Sequence, residues 1–203
     1  FRSIRTNIGF LSAHSRKTEG RESTVIQVTS SVGGEGKSFC SINLAVSLAL
    51  AGSKTVVVGL DLRKPKLAAY FNLSNDVGAS SVLAGLSTIE EALISSEVPN
   101  LDIIVGDPIP PNPSELLIGD KLKSFFDELA KEYDYIILDT PPIALVTDSL
   151  ILSEHADATV YVVRQGVTRS NNLDYVNDLY RHEKVNHIAI LFNDVKMTKL
   201  GYG

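Results

Sequence analysis

The sequence predicts an α/β fold: a doubly wound, mostly parallel sheet with helices on both faces. Three observations carry this. Short apolar runs rich in β-branched residues alternate with stretches of helical period, strands among them are apolar on both faces, and a glycine-rich turn follows the first run. Strands apolar on both sides need cover on both sides, and strands joined through helices pair in parallel. The first strand is read at 24–29. A helix follows at 38–51, with Ile42, Ala45, Val46 and Ala49 on one face and Gly52 where a helix C-cap belongs. Further strands are read at 55–58, 101–105, 135–138, 159–163 and 188–192, and further helices at 120–131, 148–154 and 170–180. Ligands in such sheets bind beyond the carboxyl ends of the strands. The stretch Asp107-Pro108-Ile109-Pro110-Pro111-Asn112-Pro113 follows a strand, and is expected on that edge as a stiff loop. No repeat or linker divides the chain, so residues 1–203 read as a single domain.

Composition narrows the function. With 44% hydrophobic and 21% charged residues, the 203-residue chain is an ordinary globular sequence, neither disordered nor collagen-like. A single cysteine excludes a disulfide framework. No apolar run approaches the ~20 residues of a membrane-spanning helix. The net charge of −5 argues against nucleic-acid binding by bulk charge. The only methionine is Met197 and the chain opens mid-pattern at Phe1-Arg2-Ser3-Ile4-Arg5, which reads as a piece of a longer protein.

The chemistry is concentrated in Gly33-Gly34-Glu35-Gly36-Lys37-Ser38, between a strand and a helix. Glycines let several backbone N–H groups converge on one anion, and the helix N-terminus adds its dipole. Lys37 can reach the β- and γ-phosphates of a nucleotide, and the Ser38 hydroxyl can ligate Mg²⁺. The usual spacing G-x-x-x-x-G-K-[ST] wants glycine at position 31, where this chain has Ser31. Two acidic strand ends support the reading. Tyr135-Ile136-Ile137-Leu138-Asp139 is an apolar strand ending in a carboxylate, and Asp61 lies just beyond the strand at 55–58. Either aspartate alone is an ordinary turn residue; both beside a phosphate loop point to a Mg²⁺-nucleotide site.

Three strings resemble the Walker-type motifs of the bacterial tyrosine kinases: Ser30-Ser31-Val32-Gly33-Gly34-Glu35-Gly36-Lys37-Ser38, Leu60-Asp61-Leu62-Arg63-Lys64-Pro65 and Ile136-Ile137-Leu138-Asp139-Thr140-Pro141-Pro142. The resemblance implies a deviant-Walker P-loop NTPase fold and an ATP- and Mg²⁺-dependent protein-tyrosine kinase, a cytoplasmic domain that controls capsule and exopolysaccharide export from the bacterial inner membrane. It implies that Lys37 holds the transferred phosphate, and that Ser38, Asp61 and Asp139 organise the metal. Gly33, Gly34, Glu35, Gly36 and Phe39 would complete the nucleotide site, with Asn193 placed where related ATPases contact adenine. Residues 1–20 are similar to an N-terminal oligomerisation helix and loop, in which Arg2 and Arg5 dock onto neighbouring subunits of a ring. Gly201-Tyr202-Gly203 looks like the start of a tyrosine-rich tail, with Tyr202 an acceptor in trans. Implied partners are those subunits, an activating membrane segment or adaptor and a tyrosine phosphatase, with no nucleic acid.

One position departs from the pattern. The family's second motif carries two aspartates, D-x-D, and the first falls on Gly59. That aspartate is the one assigned to activating the acceptor, so the base role would pass to Asp61 or Asp139, or transfer would be slow. Two other readings follow. A partition or division-site ATPase switch would need a lysine where this chain has Val32, and Gly59 leaves open an ATP-binding scaffold of the export machinery with weak chemistry. His14, His155, His182 and His187 lack metal-ligand spacing beside Cys40, which reads as a small buried hydrophobe, and residues 14–21 read as a solvated charged loop.

Overall fold

A computed structural model describes residues 1, 4, 6, 7, 23–74 and 76–196. Arg2, Arg5 and Tyr202, singled out above, lie outside the described residues. The chain builds β1 (Thr24–Ser30), α1 (Lys37–Ala49), β2 (Thr55–Gly59), α2 (Leu67–Phe71), α3 (Ala79–Ala84), α4 (Ile89–Ala92), β3 (Leu93–Ser95), β4 (Leu101–Ile104), α5 (Pro113–Leu116), α6 (Asp120–Glu132), β5 (Tyr135–Asp139), α7 (Asp148–Ser153), β6 (Ala158–Arg164), α8 (Ser170–Arg181) and β7 (Ile188–Asn193). The strands form one seven-stranded sheet in the order β3-β4-β2-β5-β1-β6-β7. Every pairing is parallel except β3 with β4.

The continuous apolar strands are explained by two layers of cover. Along β2, Val56 and Val58 point into the layer built with α3, α6 and α7, while Val57 points into the layer under α1. β5 divides the same way, with Ile136 and Leu138 on one side and Ile137 on the other. A third cluster joins Tyr161 and Val163 of β6 to Val176 and Leu179 of α8. The expected helix at 38–51 is α1, ending two residues early at Ala49. Its buried face is Cys40, Leu44, Ala45, Leu48 and Ala49, while Ile42 and Val46 lie at the margin, half-buried. Gly52 has the left-handed φ of 94° that stops a helix. The short edge strand β3 and helices α2 to α5 were not anticipated. Helices of four to six residues are not stable by their own propensity, so packing decides them.

The loop after β4 approaches the end of β2 through a pair of glycines. A side chain at Gly59 would place its Cβ 2.8 Å from the Gly106 backbone nitrogen, and one at Gly106 would lie 3.0 Å from the Gly59 carbonyl oxygen. Because backbone rather than a flexible side chain occupies the space, a larger residue at 59 must displace the loop. Gly59→Asp is therefore expected to destabilise the chain by about 1–3 kcal/mol, seen as a melting temperature lowered by several degrees.

Candidate functional site

The strand order brings the three motifs together. β5 lies between β1 and β2, in a register that sets Asp139 beside Val28 on one side and Gly59 on the other. The Asp139 carbonyl oxygen accepts hydrogen bonds from Leu60 N at 2.8 Å and Asp61 N at 3.0 Å, so the second motif is tied by its backbone to the third. On the other flank Thr140 Oγ1 donates to the Val28 carbonyl at 3.0 Å, Thr29 Oγ1 to that of Pro141 at 2.8 Å, and Ile143 N to that of Ser30 at 2.9 Å. Gln27, Thr29 and Ser30 are buried in a central strand. Gln27 Nε2 donates to the Ser149 carbonyl at 2.7 Å, so these polar side chains stitch the loops above the strand ends.

Around the phosphate loop, Ser31 replaces the expected glycine with a purpose: its hydroxyl bonds the Tyr161 hydroxyl at 2.7 Å and hooks the loop onto β6. Burial pushes the Tyr161 phenol up to about 12, keeping it neutral. Glu35 is fully buried, and its carboxylate accepts from Val32 N at 2.8 Å and from the Thr168 hydroxyl. Its side chain braces the loop from within, leaving backbone rather than carboxylate to meet an anion. Arg164 Nη1 donates to the Gly34 carbonyl at 2.7 Å, and Asn193 Nδ2 to that of Glu35 at 3.0 Å. Gly36 has a φ of 96° and no room for a Cβ, which would sit 2.3 Å from Asn193 Nδ2. Phe39 is exposed and meets the Phe1 ring edge-on, with centroids 6.0 Å apart.

Asp139 is only 2% exposed and lies at the foot of this loop. Burial pushes its carboxyl up to about 6, against the opposing pull of the Ser38 hydrogen bond and the Lys37 ammonium. Ser41 Oγ also points at it, 3.4 Å from Oδ1. Burial draws Lys37 below the ordinary lysine range, with Asp139 opposing. Asp61 is half-buried, its Oδ1 accepts from Lys64 N at 3.1 Å, and burial raises its carboxyl. The same factor lifts the Cys40 thiol to about 11, so Cys40 is inert as a nucleophile. Among the described residues no three His, Cys, Asp or Glu form a metal cluster. A hydroxyl and two carboxylates suit a hard cation that takes its remaining ligands from phosphate and water, as Mg²⁺ does.

Two clefts open from Lys37 and Asp61. One, of about 210 Å³, is lined by Gly34, Gly36, Lys37, Ser38, Asp61, Lys66, Tyr70 and Arg164, and has the polarity of a phosphate site. The other, of about 280 Å³, has Pro141, Pro142, Leu145 and Val146 as apolar walls and Arg63, Lys64 and Lys66 as a basic rim. Lys66, Tyr70, Arg164 and Thr168 were missed at the level of sequence because nothing local marks them. Asn193 is predicted for adenine; in the structure both ends of its amide are engaged, with Glu35 and with Asp194 N.

A latch holds the second motif in place. Arg63 Nε donates to Asp148 Oδ2 at 2.8 Å and Nη2 to Ser114 Oγ at 2.7 Å, while Ser114 Oγ donates to Asp148 Oδ1 at 2.8 Å. Burial works against ionisation of Asp148, yet the Arg63 and Ser114 hydrogen bonds prevail and hold its carboxyl below the usual range. The proline-rich stretch thus lies on the ligand edge as expected, its far end anchored by Ser114.

A protein-family model described as an AAA domain, AAA_31, matches residues 23–170. The tyrosine-protein kinase YwqD of Bacillus subtilis is 38% identical over 199 residues, which is 98% of this chain and 81% of that protein. The chain belongs to the bacterial tyrosine-protein kinases. Among solved structures of this family, the chimerical protein CapA2B2 superposes with a TM-score of 0.87 at 36% identity, over 97% of this chain and 84% of that one. The tyrosine-protein kinase ptk of Acinetobacter johnsonii is 31% identical over 99% of this chain, which spans only 27% of that longer kinase. Among the described residues of the present kinase chain, no helix is long and apolar enough to cross a membrane.

Two outcomes follow from the site. A carboxyl whose folded value lies above its unfolded one binds more protons in the folded state, so stability falls as pH rises from about 4 through about 6. Asp139→Asn is expected to remove the Asp139 share of that fall, on the order of 3 kcal/mol, read from denaturant melts of the ligand-free chain at both ends of the range. Arg63→Ala strips the buried Asp148 of its ion pair, leaving it Ser114 and its own backbone N–H, at an expected cost of about 1–3 kcal/mol; Arg63→Lys, lacking the forked donor, should fall between it and wild type in urea midpoint.

Proposed function

We propose that this chain is a single ATP- and Mg²⁺-dependent protein-tyrosine kinase domain that phosphorylates a tyrosine-rich tail in trans. In this reading it is the cytoplasmic domain of a bacterial inner-membrane protein or complex that controls capsule or exopolysaccharide export. The observation that carries the reading is the meeting of two clefts at Lys37 and Asp61: a polar one with the phosphate loop, and one whose apolar walls suit an aromatic ring.

In this mechanism the phosphate loop and Lys37 bind the nucleotide, with the glycine backbone facing the anion. Ser38, Asp61 and Asp139 would hold Mg²⁺, which when bound would neutralise phosphate charge. The acceptor phenol enters between Pro141, Pro142 and Leu145 and forms its bond to the γ-phosphorus as the bond to the β,γ-bridging oxygen breaks, releasing ADP. Its proton passes to Asp61, which lines both clefts, whereas Asp139 is enclosed between Ser38 and Ser41. Positioning and charge neutralisation dominate such transfers, so a site without an aspartate at Gly59 still has most of what the reaction requires. Neighbouring subunits engaged through Arg2 and Arg5 would present the tail, beginning at Tyr202. Each phosphate added brings about −1.5 to −2 charges, which would loosen the ring until a phosphatase resets it; a membrane segment or adaptor would activate it.

The Gly59–Gly106 contact favours one second reading, an ATP-binding scaffold with weak chemistry, because backbone fills the place where the family carries its first aspartate. Incubation of the tail-bearing parent region with its activating segment in Mg²⁺-ATP, followed by phosphosite mass spectrometry, separates the two. Phosphotyrosine that disappears in Lys37→Met is the expected result. Nucleotide binding without phosphotyrosine would replace the kinase with the scaffold.

A further inference from the structure

We infer that Lys66 is a second phosphate-neutralising residue, whose ammonium contacts the terminal phosphate of a nucleoside triphosphate opposite Lys37. The inference rests on the nucleotide site proposed above and assigns it a residue that none of the three motifs contains.

Lys66 is, with Lys37 and Asp61, one of three residues that line both the phosphate cleft and the apolar cleft. The terminal phosphate must occupy that junction if it is to pass from one cleft to an acceptor in the other. Its charge is available. Among the described residues Lys54, Arg63, Lys123 and Arg164 are each paired with a carboxylate, whereas Lys66 forms no ion pair. Behind the burial that dominates both groups, the Lys66 ammonium also lowers the proton affinity of Lys37 and Asp61, placing it within electrostatic reach of both.

The backbone beneath Lys66 is fixed from two sides. Arg63 is latched to Asp148 and Ser114, and Pro65 packs on Gly106, where an added Cβ would lie 3.1 Å from the proline ring. The flexible stem therefore starts from a held position at the entrance to α2. The phosphate loop itself offers one lysine, Lys37. Phosphoryl transfer elsewhere gains about 10³–10⁵ in rate from a cation added to the transferring group. Lys66 is placed to supply such a charge within the same chain.

The test measures binding, so it does not depend on turnover. The 203-residue chain is titrated by calorimetry with Mg²⁺-ADP and with the non-hydrolysable triphosphate AMP-PNP plus Mg²⁺, as wild type, Lys66→Ala and Lys66→Arg. Wild type is expected to favour the triphosphate. Lys66→Ala should lose about tenfold in triphosphate affinity while ADP binding stays within about twofold, and Lys66→Arg should keep the preference. Thermal melts should coincide, because the residue is exposed. Equal affinities for the two nucleotides in wild type, no change in Lys66→Ala, or equal weakening of both would overturn the assignment of Lys66 alone. A wild-type chain that binds neither nucleotide would overturn the proposed nucleotide site, and this inference with it.

Discussion

The carboxylate of Asp139 is buried at the end of the strand that separates β1 from β2, and the arrangement of the ligand edge depends on that placement. Its main chain receives the N–H groups of Leu60 and Asp61, its side chain faces Ser38 and Ser41, and Lys37 stands across from it. Leaving a carboxylate in that environment is unfavourable, which is why its proton affinity rises. Cations are what relieve it. Lys37 supplies part of that relief, and in the proposed function a bound cation would supply the rest.

The phosphate loop is held from outside the motif. Its glycines permit the turn, but Tyr161 anchors Ser31, Thr168 meets the Glu35 carboxylate, Arg164 holds Gly34, and Asn193 crosses Gly36 to reach Glu35. These partners come from β6, β7 and the turn between β6 and α8, on the far side of the sheet from the second motif. Pre-organisation of this kind means that an anion meets N–H groups already in place, rather than a loop that must first be ordered.

The missing first aspartate of the second motif takes on a different meaning in three dimensions. Seen in the sequence, Gly59 looks like a lost catalytic group. In the fold it is one half of a close backbone contact with Gly106, and that contact brings the loop after β4 against the second motif. The edge is therefore packed around a glycine at this point, and in the proposed function the base role would fall to the carboxylates that remain.

Much of this was legible residue by residue. The six main strands and helices α1, α6, α7 and α8 follow from hydrophobic periodicity, and the phosphate loop from glycines before a Lys-Ser pair, because these signals depend on local geometry. Asp139 could be picked out as a strand-end carboxylate for the same reason. The sequence could not reveal that Asp139 pairs in register with Gly59, that Arg63 finds Asp148, or that Glu35 turns inward to Thr168. Those partners lie 80, 85 and 133 positions apart and carry no shared local pattern. The short elements β3 and α2 to α5 were hidden for a related reason: segments of three to six residues take their conformation from what they pack against. Lys66 is the sharpest case. As a letter it is one more lysine in a basic stretch, and only the strand order and the two clefts give its charge a place.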